Sequence, residues 1–240
     1  MKKNYTRYKP LYKKFIRLRK NVQYRKKLIR YSLKSKKWSK LTSYLKRLRL
    51  RRKKNFIIYD LTRHHLRRYG NYFNKKFLLN LLNKQRLSLF YGFLADYYVK
   101  GLVRNSIKYC ASLKTLPATI FINRLEKRLD TLLYRAHFTI SLRQSRSAIK
   151  HGHVYVNNFV IKNNKHCLKK GDVIKISPKY LTSAKRNVLS SHLWPIPPEY
   201  LTINYRSFHI VYTETFEIKS LFIHYPFFLN LHPLIDSSKR

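Results

Sequence analysis

The stretch that decides the fold is residues 123–161, which read NRLEKRLDTLLYRAHFTISLRQSRSAIKHGHVYVNNFVI. Its first part, residues 123–137, places apolar side chains at i, i+4, i+7, i+8 and i+11, which is the spacing of one helix face. These positions are Leu125, Leu129, Leu132, Leu133 and Ala136. We therefore expect one amphipathic helix with three arginines standing off its apolar face, namely Arg124, Arg128 and Arg135.

A second helix is expected directly afterwards. Ser141 can cap it, because a serine hydroxyl accepts a hydrogen bond from the unpaired amides of a first turn. Its inward positions are Leu142, Ser145 and Ile149, and three cations share an outward stripe at i, i+3 and i+7, namely Arg143, Arg146 and Lys150. A solvated face is the ordinary explanation of such a stripe. However, no carboxylate occurs between Asp130 and Asp172 to offset it, so a phosphate partner is favoured.

The pattern then changes from helix to strand. Asn157-Asn158 predicts a two-residue turn between the strands Val154–Val156 and Phe159–Ile161, and a last strand is expected over residues 172–176. The turn residues His151, His153 and Asn157 are expected to lie near the partner. Two histidines at i and i+2 without a third ligand make a poor metal site, so no metal is expected there.

The charge of the chain indicates the class of partner. Lys and Arg number 54 against 9 Asp and Glu, a formal net charge of +45. Such a charge indicates a polyanion, because each cation placed on a phosphate releases condensed counterions. DNA, RNA and an anionic membrane all satisfy this argument, whereas a small-molecule substrate does not need it. The 20 Tyr and 14 Phe suit stacking on unpaired RNA, although an A+T-rich organellar genome explains most of this bias.

The N-terminal segment, residues 1–59, is expected to be a basic arm that binds RNA, with Arg7 and Lys9 among its contacts. It contains no carboxylate, since the first is Asp60. A cleaved matrix-targeting peptide is the alternative, but the segment is long for one and runs into a helical pattern without a break.

Three further segments are expected after the arm. Residues 60–120 are predicted to be a helical body, which ends at Leu116-Pro117 because the residue before proline resists the helical conformation. Residues 121–180 contain the module of two helices and a hairpin. Residues 181–240 are expected to begin with a polar linker, Thr182–Asn187, and to continue as an extended, strand-like tail. The predicted fold class is therefore α+β, and no apolar run reaches membrane-spanning length.

The residues of the module resemble the S-four RNA-binding fold, named after protein number four of the small ribosomal subunit. The resemblance keeps both order and spacing, in Arg128-Leu129-Asp130, Tyr134-Arg135, Phe138, Arg146, His151, Val156-Asn157 and Gly171-Asp172-Val173-Ile174. The flanks are similar to the ribosomal protein four family, in Arg7-Tyr8-Lys9-Pro10, Lys84-Gln85-Arg86, Phe90-Tyr91-Gly92-Phe93-Leu94, Pro198–Asn204 and Ile223–Ile235.

The resemblance implies a structural constituent of a small ribosomal subunit that binds ribosomal RNA at a helical junction, without cofactor, metal or membrane and not as a homo-oligomer. It adds ribosomal protein five as a neighbour and a tail that packs on the helical body. The further candidate RNA contacts are Lys84, Gln85, Arg86, Tyr91, Arg124, Arg128, Arg135 and Ser141. Two departures favour an organellar form, mitochondrial rather than plastid. The cysteines Cys110 and Cys167 form no zinc knuckle, and Asn158 stands where bacterial members have glycine.

Two alternatives stay open. Pseudouridine synthases carry the same module, and Lys127-Arg128-Leu129-Asp130 is close to their catalytic Gly-Arg-Leu-Asp motif. In those enzymes, however, the motif follows the module in a separate domain, whereas here it lies inside the first helix of the module, so Asp130 is expected to be structural. A free RNA-binding regulator is the second alternative, but it leaves the helical body and the tail unexplained.

Overall fold

The computed structural model describes residues 72–113, 115–193 and 196–213, together with Tyr225, Leu229, Leu231, Leu234 and Ile235. The predicted basic arm, with Arg7 and Lys9, lies outside the described residues. The chain divides into two compact units, residues 1–90 with 225–230 and residues 91–224 with 231–240. Residues 91–120 therefore cluster with the module, where the sequence had grouped them with the helical body.

The described part of the first unit is helix α1, Tyr72–Phe90, with Tyr225 and Leu229. Its C-terminal half buries Leu87, Leu89 and Phe90, and the ring of Tyr225 packs on that of Phe90 with 4.9 Å between centroids. The helix predicted for this region is confirmed.

Two helices open the second unit. α2, Asp96–Leu113, begins with an aspartate in its first turn, where a negative charge is favourable. α3, Pro117–Glu126, begins with a proline at a position whose amide needs no partner. Leu116 is extended at the start of α3, so the predicted break before Pro117 is confirmed.

The single helix predicted over residues 123–137 is wrong, because the chain breaks between α3 and α4, Leu129–Arg135. Arg128 is extended, with φ −73° and ψ 137°, and forms an isolated antiparallel bridge with Cys167. The amide of Leu129 donates to the carbonyl of His166, and that of Leu168 to Lys127, so backbone pairing outweighs helical continuity here. The predicted apolar positions are nevertheless all buried, namely Leu125, Leu129, Leu132, Leu133 and Ala136.

Helix α5, Leu142–Lys150, confirms the predicted second helix and its cap. The Ser141 hydroxyl accepts from the Gln144 amide at 3.3 Å, and the Gln144 side chain accepts from the Ile140 amide at 2.7 Å. This reciprocal arrangement satisfies donors that the first turn leaves unpaired. Its predicted inward residues Leu142, Ser145 and Ile149 are buried.

Five strands form one antiparallel sheet in the described part of the chain. They are β1 (Val154–Val156), β2 (Phe159–Val160), β3 (Val173–Ile176), β4 (Leu201–Asn204) and β5 (His209–Tyr212), in the order β2-β1-β3-β5-β4. Asn157 and Asn158 join β1 to β2 with φ of +48° and +72°, as the predicted turn requires. The predicted last strand and the strand-like start of the tail are also confirmed.

The predicted linker at Thr182–Asn187 is wrong, because helix α6 spans Pro178–Ser191. Ala184 and Asn187 lie on its buried side, and the Asn187 amide donates to the Phe138 carbonyl at 3.0 Å. The polar composition of the segment reflects the exposed side of this helix. Within the expected extended tail, neither helix nor strand occurs over residues 196–198.

The second unit has its core between the helices and the inner face of the sheet. Phe138 is fully buried there, with its ring 5.4 Å from that of Phe208 and 6.1 Å from that of Tyr205. The predicted α+β class is confirmed. Among the described residues, none of the helices is both long and apolar enough to cross a membrane.

Candidate nucleic-acid interface

A buried carboxylate, Glu126, joins three distant parts of the second unit. The hydroxyls of Tyr91 and Tyr200 donate to it at 2.6 and 2.8 Å, and Arg135 donates from Nε and Nη2 at 3.1 and 2.8 Å. Burial by itself raises the pKa of Glu126, but the charge and hydrogen bonds of Arg135 and the two tyrosines outweigh it and hold the pKa below its usual range. The pKa of Arg135 is correspondingly raised by Glu126 against the effect of burial.

A second buried carboxylate, Asp130, is held by two arginines. Arg128 donates to both of its oxygens, from Nε at 3.0 Å and Nη2 at 2.7 Å, and Arg146 donates from Nε at 2.7 Å. Two-pronged pairing of this kind is the strong form of an arginine–carboxylate contact. Asp130 therefore acts as a structural anchor between α4 and α5.

The guanidinium of Arg146 also fastens the loop that precedes α2. Its Nη1 donates to the Gly92 carbonyl at 2.6 Å, and Nη2 donates to the Tyr91 carbonyl. Gly92 has φ +69°, and a Cβ added there would lie 3.0 Å from the Cβ of Leu142. Glycine is therefore required for this close approach of loop and helix.

These pairs correct two expectations about the cations. Arg128 and Arg135 do not stand off the apolar face, because each is buried against a carboxylate. Arg146 is not part of an outward stripe, because it turns inward and its side chain is 19% exposed. Of the predicted stripe, Lys150 is exposed and Arg143 is half-buried.

The remaining predicted residues of the module lie at its surface or in its turns. Arg124 is half-buried and stands 4.5 Å above the centre of the Tyr109 ring. His151 is exposed, and His153 stacks on Tyr180 with 5.5 Å between centroids. Asn157 is exposed, but its side-chain nitrogen donates to Asp172 at 2.8 Å and its side-chain oxygen accepts from the Val173 amide at 2.9 Å, so it ties the β1–β2 turn to the start of β3.

On α1, in the first unit, Lys84 and Gln85 are half-buried whereas Arg86 is buried. Burial lowers the pKa of Arg86, whose Nε and Nη1 have no hydrogen-bond partner among the described residues. The phenol of Tyr91, in the second unit, is committed to Glu126. Across the described residues, no group of three or more histidine, cysteine or acidic side chains could hold a metal ion.

The sequence motifs did not indicate a row of exposed cations on α2. Lys100, Arg104 and Lys108 occur at i, i+4 and i+8, so they line one side of the helix over about 12 Å. The sequence contains this spacing, but only the fold shows that this side of α2 is exposed to solvent. Among the described residues Glu126 and Asp130 are buried, whereas Asp96 is exposed one turn before Lys100, so the row begins next to a surface carboxylate.

Known proteins similar to this chain in sequence indicate which family it resembles. Residues 127–174 match the S4 domain family. The chain is 29% identical to small ribosomal subunit protein uS4m of Reclinomonas americana, over 69% of this chain and 66% of that protein. It is 29% identical to uS4m of Prototheca wickerhamii over 63% of this chain and 30% of that one, and 32% identical to uS4B of Clostridium acetobutylicum over 56% and 62%.

The matched part of the chain spans just under two thirds of the length of the Reclinomonas americana protein. The resemblance to the small-subunit ribosomal protein four family, including organellar members, is confirmed.

Proposed function

We propose that this chain, with its S4 domain at residues 127–174, is a structural and non-catalytic constituent of the small subunit of the mitochondrial ribosome. Its role there is to bind small-subunit ribosomal RNA at a helical junction. The observation that carries the proposal is the placement of charge around the S4 domain. Glu126 and Asp130 are buried and neutralised by arginines, whereas Lys150 and the cations on α2 face solvent.

This arrangement supports binding to folded RNA. Carboxylates at the surface would repel phosphates, and here two of them are enclosed in the core. Exposed cations release counterions when they meet phosphates, which gives affinity without a requirement for base sequence. RNA helices are recognised mainly by shape and by contacts to the backbone, so a rigid cationic surface suits a helical junction.

The mitochondrial assignment rests on relatives and on composition. Two relatives are named uS4m, and the bias toward Lys, Asn, Ile, Phe and Tyr is typical of an A+T-rich organellar gene. We further propose neighbouring small-subunit proteins as partners, with ribosomal protein five among them. That partner follows from the family resemblance alone.

The geometry does not support an RNA-modifying enzyme. A catalytic aspartate must meet its substrate, but the Asp130 side chain is 0% exposed and is engaged by Arg128 and Arg146. Replacing it is expected to unfold the module rather than to remove an activity.

The proposal is tested by sedimentation of native mitochondrial lysate before and after a high-salt wash, with detection of this chain by antibody. Retention in the small-subunit peak after the wash is the expected result. Release to the top of the gradient would contradict an integral role. A purified full-length chain should also bind small-subunit ribosomal RNA with an affinity that falls steeply with salt.

A further inference from the structure

In the described part of the chain, one face of the sheet of the second unit is half-buried or exposed, whereas the other is buried. In each strand, alternate residues point to opposite faces. The inward residues Val156, Ile174 and Ile210 are directly paired across neighbouring strands, and all three are buried. The alternate positions, which point outward, are half-buried or exposed.

The outward positions form a continuous row across all five strands. Directly paired residues in antiparallel strands lie on the same face, and the register pairs Val160 with Tyr155, Tyr155 with Lys175, Lys175 with His209, and His209 with Asn204. We call these five residues the outward row. Neighbouring strands are about 4.8 Å apart, so Tyr155 and His209 lie about 10 Å apart with Lys175 between them.

The two rings of the outward row are uncommitted within the described part of the chain. The side chains of Tyr155 and His209 have no hydrogen bond, ion pair or ring contact there. The Lys175 ammonium donates to the Asn158 side chain at 2.9 Å and has donors to spare. No outward residue of these strands is acidic.

From this arrangement we propose that the outward row binds a single-stranded segment of RNA. Tyr155 and His209 provide flat surfaces on which unpaired bases stack, and Lys175 lies between them to meet the phosphates. Sheet faces that present aromatic side chains are a recurrent platform for single-stranded RNA, and the stacking tolerates any base. An acidic peptide could meet Lys175, but it would leave the two rings without a function.

This platform extends beyond the S4 domain. The match to that family ends at residue 174, within β3, whereas His209 and Asn204 lie on β5 and β4. The hairpin of β4 and β5 pairs with β3 and so widens the outward face from three strands to five. The inference rests on the proposed function, since it adds a second, single-stranded contact to the RNA complex.

The test uses the full-length chain and three variants, with a single-stranded RNA that carries 4-thiouridine and with a duplex RNA as probes. We expect the double variant Tyr155→Leu with His209→Leu to bind the single strand about tenfold more weakly, because it loses stacking. Its salt dependence and its binding to duplex should stay unchanged, and thiouridine should cross-link to Tyr155 in the unaltered chain. Lys175→Gln should instead reduce the slope of affinity against salt by about one phosphate contact.

Phe159→Leu is the matched control. Phe159 is 75% exposed on the same hairpin, but it pairs with Val156 and therefore lies on the opposite face. A loss of single-strand binding in Phe159→Leu but not in the double variant would overturn the proposal. So would a double variant that binds RNA normally but is released from the small subunit, since the row would then contact a protein. If the unaltered chain bound no ribosomal RNA, the proposed function itself would fail.

Discussion

Arg146 and Asp130 are joined by a 2.7 Å ion pair that connects α5 to α4, and the same guanidinium donates to the carbonyls of Tyr91 and Gly92. One side chain therefore holds two helices and a loop in register. The pair explains why Arg146, which the sequence predicts to contact RNA, instead stabilises the interior of the fold.

Replacing Arg146 by Gln should destabilise the fold. The change removes a charged donor from Asp130 and from two carbonyls, and we expect the free energy of unfolding to fall by about 2–3 kcal/mol. Urea denaturation followed by circular dichroism measures this. Lys150→Gln is the control on the same helix, because Lys150 is exposed, and it should change stability by less than about 0.5 kcal/mol. Equal effects of the two variants would contradict the role given to Arg146.

Replacing Glu126 by Gln should change the dependence of stability on pH. The folded-state pKa of Glu126 is held below its usual value of 4.5, so its contribution is complete above pH 4.5 and is lost as the pH falls through the folded pKa. Glu126→Gln leaves Arg135 buried without a counter-charge, so we expect a loss of about 3–5 kcal/mol at pH 7.

Below pH 4.5 the unaltered chain should lose stability faster than Glu126→Gln, so that plots of stability against pH for the two proteins converge. Thermal melts of both proteins between pH 7 and pH 3 measure these plots. Parallel curves over this range would mean that Glu126 does not titrate as its contacts require.

Gly92 and Gly101 should respond in opposite ways to alanine. Gly92 has φ +69° and no room for a Cβ beside Leu142, so Gly92→Ala should cost about 1–3 kcal/mol. Gly101 lies inside α2, where an added Cβ would have no described atom beyond the helix's own backbone within 4 Å, so Gly101→Ala should stabilise the chain by about 0.5–1 kcal/mol. The melting temperatures of the two variants test this prediction. A shift in the same direction for both variants would contradict it.

Removing Arg143 and Lys150 should weaken RNA binding. We expect the double variant to Gln to lower the slope of log affinity against log salt by up to about 2, since each cation neutralises one phosphate. Adding Arg146→Gln should lower stability but leave the slope unchanged, because Arg146 is engaged inside the protein. Filter binding of ribosomal RNA at several salt concentrations tests this, and a further fall in slope with Arg146→Gln would show that it contacts RNA.

Local patterns in the sequence predicted the local structure well. The cap at Ser141, the turn at Asn157-Asn158 and the buried stripe through Leu132 depend on residues a few positions apart, and the structure confirms all three. The break at Arg128 could not be predicted, because it depends on pairing with Cys167, far along the chain.

Contacts between residues far apart in the sequence also explain why some arginines were wrongly predicted to face solvent. Arginines beside an apolar stripe normally face solvent, and only the fold shows that Arg135 meets Glu126 together with Tyr91 and Tyr200. Helix α6 was missed because its buried positions, Ala184 and Asn187, are too weakly apolar to produce a stripe. Side chains that are satisfied by distant partners lie beyond what spacing can predict.

The contact between Glu126 and Tyr200 has a consequence for the order of events during synthesis. The partners are 74 positions apart, and β5, which covers one edge of β3, lies later still in the chain. A growing chain that has emerged only to the end of β3 can pair Glu126 with Arg135 but lacks both the second tyrosine and the neighbour for that strand. The S4 domain is therefore completed late, and until then its open strand edge needs protection from pairing with another nascent chain.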